Sequence, residues 1–75
     1  MNWQHIEEYL DEMITHQQKS LLKCGQKIVP ALTSDDILQP NDFRELEENP
    51  LFRYEEGLLA GLNSARIALS ALKKA

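Results

Sequence analysis

The 75-residue sequence lacks most of the features that identify a secreted protein or a nucleotide-binding enzyme. Its one cysteine, Cys24, cannot form an internal disulfide bond, so a reducing cytoplasm is the expected compartment. The three glycines are separate, so no glycine-rich phosphate loop is present. No basic stretch followed by an apolar run begins the chain, and we expect no signal peptide. We therefore expect a cytoplasmic protein.

Long apolar runs and an excess of positive charge are also missing. The longest charge-free stretch of the last third, Gly57 to Ala65, is nine residues long, whereas about 20 are needed to cross a bilayer. The formal net charge of −4 disfavours attraction to phosphate backbones and to anionic membranes. We therefore expect neither a nucleic acid nor a membrane as a partner.

The first third of the chain predicts a long helix over residues 3–28. Apolar residues recur at the helical period of three or four; they are Trp3, Ile6, Leu10, Met13, Leu21, Cys24 and Ile28. Gln17 is the one polar residue that falls on this stripe. Asn2 is placed to cap the helix, and Pro30 prevents it from continuing. Cys24, because it lies on the apolar stripe, is interpreted as buried and inert rather than reactive.

The last third predicts a second long helix over residues 50–73, with Asn49 as its cap and Pro50 at its first position. Apolar residues follow a seven-residue repeat; they are Leu51, Leu58, Leu62, Ala65, Leu69 and Leu72. Small residues at every fourth position lie beside this repeat. Together they predict a helix-packing seam, where another helix comes close; its residues are Gly57, Leu58, Gly61, Leu62, Ala65 and Leu69.

The charges favour an antiparallel hairpin of the two helices. The acidic first turns of helix 1 would then lie near Arg66, Lys73 and Lys74, and its lysine-rich end near Glu55 and Glu56. In this arrangement helix 1 is the neighbour that approaches the small-residue seam. The predicted fold is therefore a single all-α domain over residues 1–75.

A chain this short buries little surface, and two helices leave apolar residues exposed to water. We therefore expect two hairpins to pair into a four-helix bundle as a homodimer. A three-helix monomer and a hetero-complex with another protein remain alternatives.

The connection over residues 30–49 is expected to contain short helical turns, the first of them capped by Thr33 and Asp36. Residues 33–50 carry six acidic residues and one arginine. The apolar residues nearby have two interpretations: they close one end of the hairpin, or they anchor a basic protein partner. The candidate partner surface consists of Phe43, Leu46, Glu47, Glu48 and Phe52.

Helix 1 also carries a candidate metal site. Glu8, Glu12 and His16 stand at four-residue steps, so their side chains share one face of the helix. Facing helices in bundles bind metals with such carboxylate and imidazole ligands. The three residues lie away from the apolar stripe, however, and a solvated helix face is the simpler interpretation.

No nucleophile, base and orienting group occur in an arrangement that predicts catalysis. We therefore expect a non-enzymatic protein without a cofactor that acts through protein–protein interaction, by self-association or as an adaptor or regulatory subunit. The alternative is a metal-dependent enzyme or metal-binding protein that uses the acids and histidines of helix 1.

Overall fold

The computed structural model describes residues 2–75, which form four α-helices and one 3-10 turn. In chain order these elements are α1 (Trp3–Ile28), α2 (Ser34–Ile37), the 3-10 turn (Pro40–Asp42), α3 (Arg44–Glu47) and α4 (Pro50–Lys74). The described residues contain no strand, which confirms the all-α class. Within the same residues, no helix combines the length and the apolar composition that crossing a bilayer requires.

Local capping determines where the two long helices begin. The Asn2 side-chain oxygen accepts a hydrogen bond from the His5 N–H at 2.9 Å, and the Asn49 oxygen accepts one from the Phe52 N–H at 3.0 Å. Pro50 occupies the first turn of α4, where its missing N–H costs nothing. Both predicted start signals are confirmed.

The connection leaves α1 at Val29, whose backbone is extended, as expected for a residue that precedes proline. The predicted capping box at α2 is confirmed: the Thr33 hydroxyl accepts a hydrogen bond from the Asp36 N–H, and the Asp36 carboxylate accepts one from the Thr33 N–H. These turns bring the chain back to the end of α1, so that α4 returns along it.

The two long helices pack side by side and antiparallel in a molecule 41 Å long. Near the start of α1, Arg66 pairs with Glu7 at 3.1 Å and with Asp11 at 2.8 Å, and Lys73 pairs with Glu7 at 2.7 Å. These ion pairs join the acidic start of α1 to the basic end of α4, as the charge distribution predicts. The predicted hairpin is therefore confirmed.

At the other end of the hairpin, the contacts of Glu55 and Glu56 differ from the predicted pairing with the lysines of α1. Gln17 is 9% exposed, and its amide donates hydrogen bonds to the backbone carbonyl and to the carboxylate of Glu55. Glu56 pairs with Arg53 of its own helix at 2.8 Å. Gln17, the polar interruption of the stripe, therefore joins α1 to α4 here, and neither glutamate pairs with a lysine of α1.

The fully buried apolar core occupies only one half of the molecule. Its four members are at most 2% exposed; they are Leu21, Leu32, Leu46 and Phe52. Partly buried residues surround them; these are Leu22, Cys24, Ile28, Val29, Ile37, Phe43 and Leu59. We call the part of the molecule from Gln17 to Leu59 the closed half. The remainder, residues 3–16 of α1 and residues 60–75 of α4 and its C-cap, is the open half and contains no buried residue.

The close approach to α1 occurs at Gly25. A Cβ atom placed there would overlap a methyl group of Leu32 and would lie 3.2 Å from the Phe52 ring and 3.5 Å from Ile37. Gly25 therefore leaves the space in which the connection and the first turn of α4 pack on α1.

The prediction that the small-residue seam of α4 approaches helix 1 is wrong. A Cβ atom added at Gly57 or Gly61 would meet nothing within 4 Å, and both residues are exposed. The line of α4 that faces α1 instead runs through Phe52, Leu59 and Arg66. At about 100° per residue, the centre of the seven-residue repeat lies roughly a quarter of a turn away from that line. The repeat therefore contacts α1 only along one edge.

Candidate interaction surface

One side of the hairpin presents an apolar face to which both long helices contribute. We call it the apolar face; its residues are Ile6, Tyr9, Leu10 and Met13 of α1 and Leu51, Tyr54, Leu58, Leu62, Ala65, Leu69 and Leu72 of α4. Two shallow grooves join the helices on this side. Ile6, Tyr9 and Leu10 line one groove with Leu69, and Tyr9 and Met13 line the other with Leu62.

The helical period explains why these residues share one side. The α4 members fall within roughly 80° of one another around the helix axis, at about 100° per residue. Leu62 and Leu69 lie at the edge nearest α1 and are half-buried. Ile67 is also apolar and 70% exposed, but it lies on the far side of α4 from this stripe.

Much of the apolar face is exposed to water. Tyr9, Met13, Leu58 and Leu72 each keep between 42% and 66% of their surface in contact with water. Single exposed apolar residues are common on proteins, but a continuous patch made by two helices is characteristic of an interaction site. This arrangement can bind another amphipathic helix or helical pair.

Ion pairs secure the opposite side of the open half. Asp11, which pairs with Arg66, and Tyr9, which lies on the apolar face, point to roughly opposite sides of α1. A hydrogen bond and charge attraction from Lys73, with a further contribution from Arg66, lower the pKa of Glu7 below its ordinary value. The hydrogen bond to Asp11 and the nearby carboxylates raise the pKa of Arg66, so the guanidinium remains charged. These charges hold the two helices together without covering the apolar face.

The candidate metal residues do not form a convergent site. Glu8, Glu12 and His16 line a shallow groove whose walls come from α1 alone, together with Lys19. Among residues 2–75, no three histidine, cysteine, aspartate or glutamate side chains are grouped so that they could hold a metal ion. In the neighbouring groove that Glu12 and His16 also line, the residue contributed by α4 is Leu62, whose side chain has no ligand atom.

The candidate partner surface in the connection is corrected by the burial of its apolar residues. Leu46 and Phe52 are 0% exposed and belong to the core, and Phe43 packs against them. Glu47 and Glu48 are exposed, but they lack the apolar anchor that the prediction assigned to them. The other interpretation of these apolar residues, that they close one end of the hairpin, is confirmed.

Comparisons with known proteins do not assign this chain to a family. A scan against protein-family models, a search of curated proteins and a search of solved structures each found no match. A functional proposal for this chain therefore depends on its own geometry and chemistry.

Proposed function

We propose that this protein is a non-enzymatic helical interaction protein that associates with a second copy of itself through the apolar face. The observation that carries the proposal is the uneven core: among residues 2–75, every buried residue lies between Gln17 and Phe52, while the apolar face continues along the open half to Leu72.

A second copy supplies what the open half lacks. An isolated pair of helices gains little stability from backbone hydrogen bonds alone, so helical segments need an apolar surface to pack against. A chain of this size commonly obtains that surface by oligomerisation. Two apolar faces packed on each other would cover Tyr9, Met13 and Leu58 and complete a four-helix bundle.

The dimensions of the apolar face limit the size of the contact. From Leu51 to Leu72, α4 extends for about 33 Å at 1.5 Å per residue, whereas α1 contributes only the segment from Ile6 to Met13, about 10 Å long. Specific interfaces bury about 800 Å² per partner, so a dimer built on the apolar face would also bury polar residues at its rim.

Sedimentation equilibrium over a wide concentration range tests the proposal. We expect the purified protein to form a dimer, and we expect Leu58→Lys to weaken association at least tenfold because it places a charge in the apolar interface. Ile67→Lys is the matched control, since it adds the same charge to the same helix outside the apolar face. Its dimerisation should equal that of the unsubstituted protein.

Two results would overturn self-association. One is a folded monomer at the highest concentration tested. The other is an equal effect of Leu58→Lys and Ile67→Lys, because the apolar face would then have no special part in the contact.

A further inference from the structure

We infer that a groove between α1, α2 and α4, in the closed half, binds a basic amphipathic segment of a partner protein. We call it the connection groove. Its apolar lining comes from Leu22, Ile37, Leu38 and Leu59. Its polar lining comes from Gln18, Ser34 and Asp35. The inference goes beyond the proposed self-association and does not depend on it, because self-association uses the apolar face.

The connection groove lies on the opposite side of the hairpin from the apolar face. Gln18 follows Tyr9 by nine residues, and Leu22 follows Met13 by the same number. Nine residues at about 100° per residue correspond to roughly 180° around the axis of α1. A second copy that covers the apolar face therefore leaves the connection groove accessible.

The floor of the connection groove is apolar and fixed by the core. Leu22, Ile37 and Leu59 come from three different helices, are half-buried and pack against the core residues. The groove has a volume of about 310 Å³, which is at the lower limit of about 300–1,000 Å³ for small-molecule sites. This space suits one or two large side chains of a bound peptide.

Leu38 forms an exposed apolar rim to the same groove. It is 76% exposed, the largest exposed fraction of any large apolar residue among residues 2–75. Its backbone is nevertheless held in place, because its N–H donates to the carbonyl oxygens of Asp35 and Asp36 at the end of α2. A large apolar side chain kept in water beside an apolar groove is typical of a binding surface.

Charge indicates which partner fits. Among the described residues that line the connection groove, Asp35 carries the only charge. Residues 33–50, which supply one wall of the groove, contain six acidic residues and one arginine. This negative region attracts lysine and arginine side chains, whereas a second copy of this chain, with its net charge of −4, has the wrong overall sign. The partner segment therefore places apolar side chains in the groove and a basic side chain beside Asp35.

Methyl NMR of the unsubstituted protein tests where such a segment binds. The probe is a peptide of about 15 residues, long enough to form a helix, in which leucine and lysine alternate with the helical period. A control peptide has glutamate in place of every lysine. We expect the lysine peptide to shift the methyl resonances of the four apolar groove residues but not those of Leu58 and Leu69 on the apolar face. The glutamate peptide should cause no shift.

Fluorescence anisotropy of the labelled lysine peptide measures the contribution of single side chains. Leu38→Ser should weaken binding about tenfold, because the leucine side chain leaves water when the peptide binds. Leu51→Ser is the matched control: it removes a leucine that is 70% exposed but lies on the apolar face, and binding should not change. Asp35→Asn should weaken binding about two- to fivefold, and Glu12→Gln, outside the groove, should have no effect.

Three results would overturn the inference: no binding of the lysine peptide, equal binding of the glutamate peptide, or shifts confined to methyl groups of the apolar face. Equal effects of Leu38→Ser and Leu51→Ser would do the same. None of these results bears on self-association, which is measured separately by sedimentation and which Leu38→Ser should leave unchanged.

Discussion

The closed and open halves of the hairpin are built from the same two helices, yet they are stabilised differently. In the closed half, the connection folds over the helices and Leu32, Leu46 and Phe52 are almost completely removed from water. In the open half, the helices touch along half-buried residues and are joined by the ion pairs of Glu7 and Arg66. The difference comes from the connection over residues 30–49, which packs against both long helices in the closed half and does not extend over the open half.

This contrast shows that the buried core of this protein covers a shorter part of the chain than the two long helices do. Both helices run continuously through both halves, because their backbone hydrogen bonds are made within each helix. Burial does depend on the connection, because two helices in contact leave most of the surface of each helix accessible to water. Under the proposed self-association, the open half is therefore where a second copy would bury apolar surface.

The largest expected effect comes from emptying the core of the closed half. Phe52→Ala should lower the free energy of unfolding by about 3–5 kcal/mol, because it leaves a cavity where a fully buried ring was. Leu69→Ala, which truncates a half-buried residue of the open half, should cost less than about 2 kcal/mol. Urea unfolding followed by circular dichroism, at a concentration that keeps the chain monomeric, measures both. Similar losses would mean that the two halves contribute equally to the core.

The next largest effect on stability is expected from adding a methyl group to the helical glycine of each half. Gly25→Ala should destabilise the fold by about 1–3 kcal/mol, because the added methyl group overlaps Leu32. Gly61→Ala should stabilise the monomer by up to about 1 kcal/mol, since its helix gains propensity and meets no neighbour. Thermal unfolding at low concentration compares them. If both variants changed the stability in the same direction, the two glycines would not differ in packing as proposed.

The smallest expected effect is on how the stability of the open half depends on pH. Because the pKa of Glu7 is lowered in the folded state, its stabilisation is present above the ordinary pKa of 4.5 and is lost as the pH falls through the lower folded value. Amide hydrogen exchange in residues 3–16 should therefore accelerate in acid, after correction for the intrinsic rate. Glu7→Gln should reduce this dependence, whereas Glu48→Gln, which removes an exposed pair with Arg44, should not. A pH dependence unchanged by Glu7→Gln would exclude these ion pairs as its source.

Features that depend on neighbouring residues were predictable from sequence. Asn2 and Asn49 cap their helices through a hydrogen bond three residues away, and Thr33 and Asp36 form their capping box over the same distance. The acidic start of α1 and the basic end of α4 also predicted the hairpin's direction, because charge attraction depends on the order of the helices more than on their rotation.

The rotation of each helix about its axis could not be predicted in the same way. The seven-residue repeat of α4 identified an apolar stripe, but not which neighbour would cover it. Gln17 suggested a fault in the stripe of α1 and is instead buried against Glu55. One signal in the sequence could have indicated this contact. A polar residue on an apolar stripe suggests a buried hydrogen bond to a polar group of the facing helix.

Helix bounds, capping and antiparallel order thus followed from interactions between residues close in sequence and from the placement of charge. The tertiary structure decided that Gly25, and not Gly61, is the site of close approach, and that Leu46 and Phe52 fill the core. The reason is physical: each of these outcomes depends on how the connection folds over the hairpin. That fold brings distant residues such as Gly25, Leu32 and Phe52 together, and no periodic pattern within one helix encodes it.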